Sequence, residues 1–154
     1  MTHAREVYAQ RRRDFMAHME PGVAIFRAAP VAIRSHDVEH RYRQDNDFLY
    51  LTGFPEPEAT CILQPGADEP FTLFVQPRDK EKETWTGYRA GVDGARALYG
   101  ADAAYASDQL DERLPKIVEH APVLYFAPGR DQRFNQRMLD LFAWALDNHA
   151  RSGA

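Results

Sequence analysis

The most direct chemistry the sequence offers is in five consecutive residues, His36-Asp37-Val38-Glu39-His40. On an α-helix His36 and His40 would stand one turn apart on one face, a spacing that suits a zinc ion. Glu39 would then be placed as a general base toward a metal-bound water, the pattern of inverted zinc peptidases. The neighbours argue against it. Arg34, Ser35, Arg41, Tyr42, Arg43, Gln44, Asp45 and Asn46 provide no apolar stripe to seat a helix. They also provide no wall for the supporting contacts a metal site needs. Solvated or locally hydrogen-bonded histidines are the expectation, with a stand-alone zinc peptidase the minor reading. Cys61 sits in the apolar run Ala59-Thr60-Cys61-Ile62-Leu63 and reads as a buried, inert thiol without a disulfide partner. His3, His18, His120 and His149 are isolated, and there is no Gly-x-Ser-x-Gly elbow or phosphate-binding glycine loop. Residue chemistry alone assigns no catalytic and no metal-binding residue.

The elements that would carry these residues read as follows. Ala4, Tyr8, Phe15 and Met19 share one face of an N-terminal helix, stopped by Glu20-Pro21-Gly22. The run Arg11-Arg12-Arg13 is expected to be a solvated face of that helix. Val23 to Phe26 and, after Pro30, Val31 to Ile33 read as short strands. Phe48 to Leu51 is a compact apolar run followed by a turn at Gly53. Thr60 to Leu63 and Phe71 to Val75 read as a hairpin across a turn-rich connection. Pro77 to Glu83 is charged and exposed, and Gly87, Gly91 and Gly94 suggest irregular backbone. Ala95 to Tyr99 reads as a short helix stopped by Gly100. Ser107 or Asp108 would cap a helix through Leu110, Leu114, Ile117 and Val118, either one helix or two meeting at Pro115. Val123 to Phe126 is a strand. Phe134, Met138, Leu141, Phe142 and Ala145 trace a final helix, with Asp131 near its start. This order predicts an α/β layer fold with a mixed sheet.

The chain has 154 residues, enough for one domain with a real core. Its net charge of -4, scattered along the sequence, argues against a nucleic-acid partner. No apolar run approaches the length of a membrane span, and the N-terminus lacks a signal-peptide core. No membrane partner and a cytoplasmic location are therefore the expectations.

Three ordered blocks add a resemblance. Arg34-Ser35-His36-Asp37, Tyr42 to Phe54 and Glu56-Pro57-Glu58-Ala59 form the first. Leu73 to Asp79 with Glu83-Thr84-Trp85-Thr86-Gly87-Tyr88-Arg89 form the second, and Leu110 to Pro115 the third. Together they resemble the N-terminal domain of aminopeptidase P, the Xaa-Pro aminopeptidases, over almost the whole chain. The resemblance implies a creatinase-type domain: a mixed β-sheet flanked by helices, with ribonuclease-H-like topology. Residues 1–154 are then one such domain, and the C-terminal pita-bread metallopeptidase domain is absent from this chain. In the family that second domain holds two divalent metals, usually manganese, which hydrolyse the bond after an N-terminal residue preceding proline. The resemblance implies no cofactor in this chain. It implies partnership with its own C-terminal catalytic domain, with a peptide bearing proline at its second position, and with further copies in a homo-oligomer.

Two residues inherit candidate substrate-binding roles from the resemblance. Trp85 matches the family's Glu-x-Trp-x-Gly motif, whose tryptophan reaches toward a neighbouring subunit's site. The charged run Lys80-Glu81-Lys82-Glu83 before it suggests a loop. Core packing is the alternative for Trp85. Asp37 matches a position near the substrate's N-terminus, where a carboxylate would attract the α-amine; a cap or turn is its alternative. The resemblance leaves open a second reading of the whole chain, a peptide- or protein-binding module of a catalytically inactive pita-bread relative.

Overall fold

A computed structural model describes residues 2–31 and 42–151. The His36–His40 motif, Asp37 and all but the first residue of the expected Val31–Ile33 strand lie outside the described residues. Helix α1 (Thr2–Ala17) leads into β1 (Val23–Arg27), and α2 (Asn46–Thr52) precedes the hairpin β2 (Thr60–Leu63) and β3 (Phe71–Val75). Helices α3 (Lys80–Thr86) and α4 (Gly91–Ala97), strand β4 (Ala103–Ala106), a 3-10 turn (Ser107–Gln109) and α5 (Leu110–Val118) follow. Strand β5 (Leu124–Phe126) and the long α6 (Gln132–Arg151) complete the order.

The sheet runs β4-β3-β2-β1-β5. The three central strands are antiparallel, and β4 and β5 join β3 and β1 in parallel at the two edges. Both faces of the centre are apolar. Ala24, Cys61, Leu63, Phe71, Leu73 and Val75 pack toward Phe48 and Leu51 of α2 and Ala95 of α4, with Phe15 and Met16 of α1 beside them. Alternate residues Val23, Ile25, Ile62 and Phe74 pack toward Leu110, Leu114 and Val118 of α5 and Phe134 and Met138 of α6. This is the strand period of two, with both sides covered by helices. The expected mixed sheet flanked by helices is what the chain forms.

Some elements differ from expectation, each for a local reason. One helix runs through Pro115. The internal proline costs about 3 kcal/mol, but Leu110, Leu114 and Val118 are all buried on one stripe, each worth roughly 1.5–3 kcal/mol. The glycines at 91 and 94 lie inside α4 rather than in irregular backbone. Strand β4 escapes the sequence because its small residues, Ala103 and Ala104, carry no β-branched or aromatic signal. The arginine run is not one solvated face. Arg12 is buried at 5% exposure, donates to the Leu51 carbonyl at 3.0 Å and lies 3.8 Å over the Phe71 ring. Arg11 stacks over Tyr50 and donates to its carbonyl, so only Arg13 of the three points to solvent-exposed helix neighbours. Successive helical residues point about 100° apart, so three arginines cannot share a face.

Candidate functional site

The block Tyr42 to Ala59 is built around one buried amide. Gln44 is 8% exposed. Its Oε1 accepts the Ala29 N–H at 2.8 Å and the Asp45 N–H at 2.9 Å. Its Nε2 donates to the carbonyls of Phe54 at 3.1 Å and Glu56 at 2.9 Å. Tyr42 donates its hydroxyl to the Ala29 carbonyl at 2.5 Å, with Gln44 Oε1 2.9 Å away. Burial pushes the Tyr42 phenol up to about 12, so it remains a donor. Asp45 caps α2 by accepting the Phe48 N–H, and Gly53 ends that helix at φ 68. A Cβ on Gly53 would stand 2.5 Å from the Tyr8 ring, so both conformation and space demand glycine. Thr52 bridges the same corner through the Phe48 carbonyl and the Phe54 N–H. These polar residues therefore fix a chain path, with the Gln44 amide fully engaged by backbone groups.

The second block forms an excursion from the sheet. After β3, residues 76–90 run out through α3 and return at Ala90. Asp79 caps α3 by accepting the N–H groups of Glu81 and Lys82. Arg78 and Glu83 pair at 2.9 and 3.3 Å. That pair raises the Arg78 guanidinium and lowers the Glu83 carboxyl from their ordinary values, hydrogen bonding being the main cause in both. No described side chain of α3 is buried. Residue 85 lies in the last turn of α3, not in a loop as the charge run suggested. The helix forms because Asp79 satisfies its first amides and Gly87, at φ 87, closes it. Tyr88, just beyond, is 67% exposed, with Arg78 5.4 Å from its ring centre.

A small cleft of about 90 Å³ opens at the carboxyl ends of β1 and β5, bordered by Arg27, Asp45, Asp47, Arg130 and Asp131. Its principal cation is already engaged. Arg27 pairs with Asp131 at 3.2 Å, donates to Thr60 Oγ1 at 3.0 Å and lies 4.7 Å from the Phe134 ring centre. This is a tie between the sheet and α6. Cys61 is fully buried, and burial pushes its thiol up to about 12, which makes it inert as expected. Among the described residues no group of three or more His, Cys, Asp or Glu side chains is placed to hold a metal ion. The described donor set thus does not fit a metal pair. Among the described residues no helix is long and apolar enough to cross a membrane.

Sequence reasoning missed Gln44, Glu56 and Arg12 as structural polar residues. Gln44 and Glu56 lie inside the first resemblance block, so their position there was the one available signal.

The described residues form a three-layer α/β/α domain with a polar-clamped corner and an exposed excursion that carries Tyr88. Residues 8–125 match the family model described as the aminopeptidase P N-terminal domain, and the chain belongs to that family. Similar proteins include the Xaa-Pro aminopeptidase of Escherichia coli, 38% identical over 129 residues, covering 82% of this chain and 29% of the relative. Human Xaa-Pro aminopeptidase 3 is 40% identical over 102 residues, covering 63% of this chain and 20% of the relative. Among solved structures, Pseudomonas aeruginosa aminopeptidase PepP superimposes with a TM-score of 0.88 at 47% identity, over 97% of this chain and 34% of that one. A zinc-substituted E. coli aminopeptidase P in complex with product gives 0.84 at 33% identity, again over 97% and 34%. The chain thus spans about a third or less of the length of these relatives.

Proposed function

We propose that this chain is the noncatalytic N-terminal domain of a metal-dependent Xaa-Pro aminopeptidase, contributing to oligomerisation and to substrate access. The single observation that carries this is the family match over residues 8–125 in a chain whose described residues contain no metal-holding cluster. Hydrolysis then belongs to a C-terminal domain holding two divalent metals, manganese in our reading. Trp85, at the end of an exposed helix, and Asp37 serve the substrate side of that site. An indole ring suits a proline ring or an apolar side chain. The Asp37 carboxylate suits a peptide's α-amine. We assign the assembled protein to the cytoplasm.

Two measurements test the reading. The chain alone, supplied with Mn²⁺ and an Xaa-Pro peptide, should show no turnover; measurable release of the N-terminal residue would defeat it. In the longer peptidase that carries this domain, Trp85→Ala should lower kcat/KM on Xaa-Pro peptides by about tenfold, the loss of roughly 1.4 kcal/mol of transition-state binding. Unchanged constants would remove Trp85 from the site.

A further inference from the structure

Among the described residues of α3 no side chain is buried. The described hydrogen bonds that tie the excursion to the body of the domain lie at its two stems. Both stems are tied to one dipeptide. On the outgoing side, Gln76 Nε2 donates to the Pro57 carbonyl at 3.1 Å. On the returning side, Glu56 Oε2 accepts the Ala90 N–H at 2.9 Å. Ala90 itself is buried, so this amide has lost water and depends on its acceptor. Next to it Gly91, at φ 69, lies so close to Arg78 that a Cβ would stand 2.6 Å from Arg78 Cγ. The stem is therefore narrow, in the manner of compact loops whose ends nearly meet. Glu56 is in turn fixed from behind, because its carbonyl accepts from the buried Gln44. Its second oxygen, Oε1, is buried and has no partner among the described residues. Leaving such an oxygen unmet is costly, and a neutral acceptor would hold Ala90 at less cost.

We infer that Glu56 and Pro57 form a clamp on the stem of residues 76–90, with Glu56 the positioning residue that sets where residue 85 stands. The clamp is read from described contacts alone; its consequence for catalysis rests on the substrate-side reading of Trp85. The two are separable by experiment.

The test is made on this chain with Trp144→Phe, which leaves Trp85 as its sole tryptophan. Amide hydrogen exchange at Ala90 and acrylamide quenching of Trp85 fluorescence are compared for Glu56, Glu56→Gln and Glu56→Ala. Glu56→Gln keeps an acceptor and should hold both values near those of the parent. Glu56→Ala should speed Ala90 exchange by about tenfold or more, the effect of losing a hydrogen bond to a charged group. It should also change Trp85 quenching, while amides of Leu73 and Ile62 in the sheet stay protected. Unchanged Ala90 exchange or unchanged Trp85 quenching in Glu56→Ala would overturn the clamp. If Glu56→Ala does not fold, Glu56→Asp replaces it, its carboxylate one methylene short of Ala90. Exchange at Ala90 should then be faster in the Asp than in the Gln variant, and equal rates would overturn the clamp. A clamp that passes, together with unaltered peptide kinetics for Trp85→Ala, would leave the positioning role standing and remove the substrate role.

Discussion

Residues 42–59 and residues 76–90 are both crowded with polar and aromatic side chains, yet they use them oppositely. In the first, Gln44 spends both amide hydrogens and its oxygen on backbone groups, in a segment that also buries Phe48, Leu51 and Phe54. In the second, Arg78, Asp79 and Glu83 act on their own helix at the surface, while Gln76 and Ala90 bond to the body of the domain. The contrast teaches how to read such segments. A buried polar network specifies one chain path because every unmet partner is expensive. An exposed one specifies less, because water can replace each partner at little cost.

The largest expected effect falls on the buried corner. Gln44→Leu would strand the amides of Ala29 and Asp45 and the carbonyls of Phe54 and Glu56. At about 1–3 kcal/mol for each unmet buried group, a loss of roughly 4 kcal/mol or more is expected. Urea denaturation measures it, and a loss under 1 kcal/mol would break the distinction between the two regions. Next comes Arg12→Ala, which leaves the Leu51 carbonyl unpaired and uncovers Phe71. A cost of about 2 kcal/mol is expected, against about 0.5 kcal/mol or less for Arg13→Ala. Equal effects would restore the solvated-face reading.

On the excursion, the proposed substrate role expects Trp85→Ala to move stability by only about 0.5 kcal/mol or less, while lowering kcat/KM in the peptidase proposed to carry this domain. A stability loss of several kcal/mol would instead make Trp85 a core residue. The smallest effect is in pH dependence. Burial raises the Glu56 carboxyl above its ordinary value, opposed by the Ala90 hydrogen bond. A group raised on folding favours the fold while protonated, so its contribution is lost as pH rises through the raised value. Glu83, lowered by Arg78, works the other way, its contribution lost as pH falls through the lowered value. Denaturation from acid to neutral pH should therefore show Glu56→Gln declining less with rising pH than the parent. A steeper decline would reverse the assigned sign.

Much of the fold was legible before the structure. The hairpin bounds at Thr60–Leu63 and Phe71–Val75 follow from apolar strands around a Pro-Gly turn, and α6 follows from its helical stripe and Asp131 cap. What escaped lacked a local signal. Strand β4 is alanine-rich and takes its place because it pairs with β3, a contact that links residues far apart in sequence. Helix α3 carries charges rather than an apolar stripe, so periodicity could not show it.

The candidate site divides along the same line. By itself the sequence determined the layer class, the inert Cys61 and the family resemblance, because these depend on residue type, period and order. It named Trp85 and Asp37 only through that resemblance. Tertiary structure alone decided that Arg12 is buried, that Gln44 joins Ala29 to Phe54 and Glu56, and that Glu56-Pro57 meets both stems of the excursion. Each of those facts is a choice of partner for a polar group across the fold. Hydrogen-bonding capacity is written in a residue's type, but its partner is fixed only when packing excludes water and leaves one group within reach.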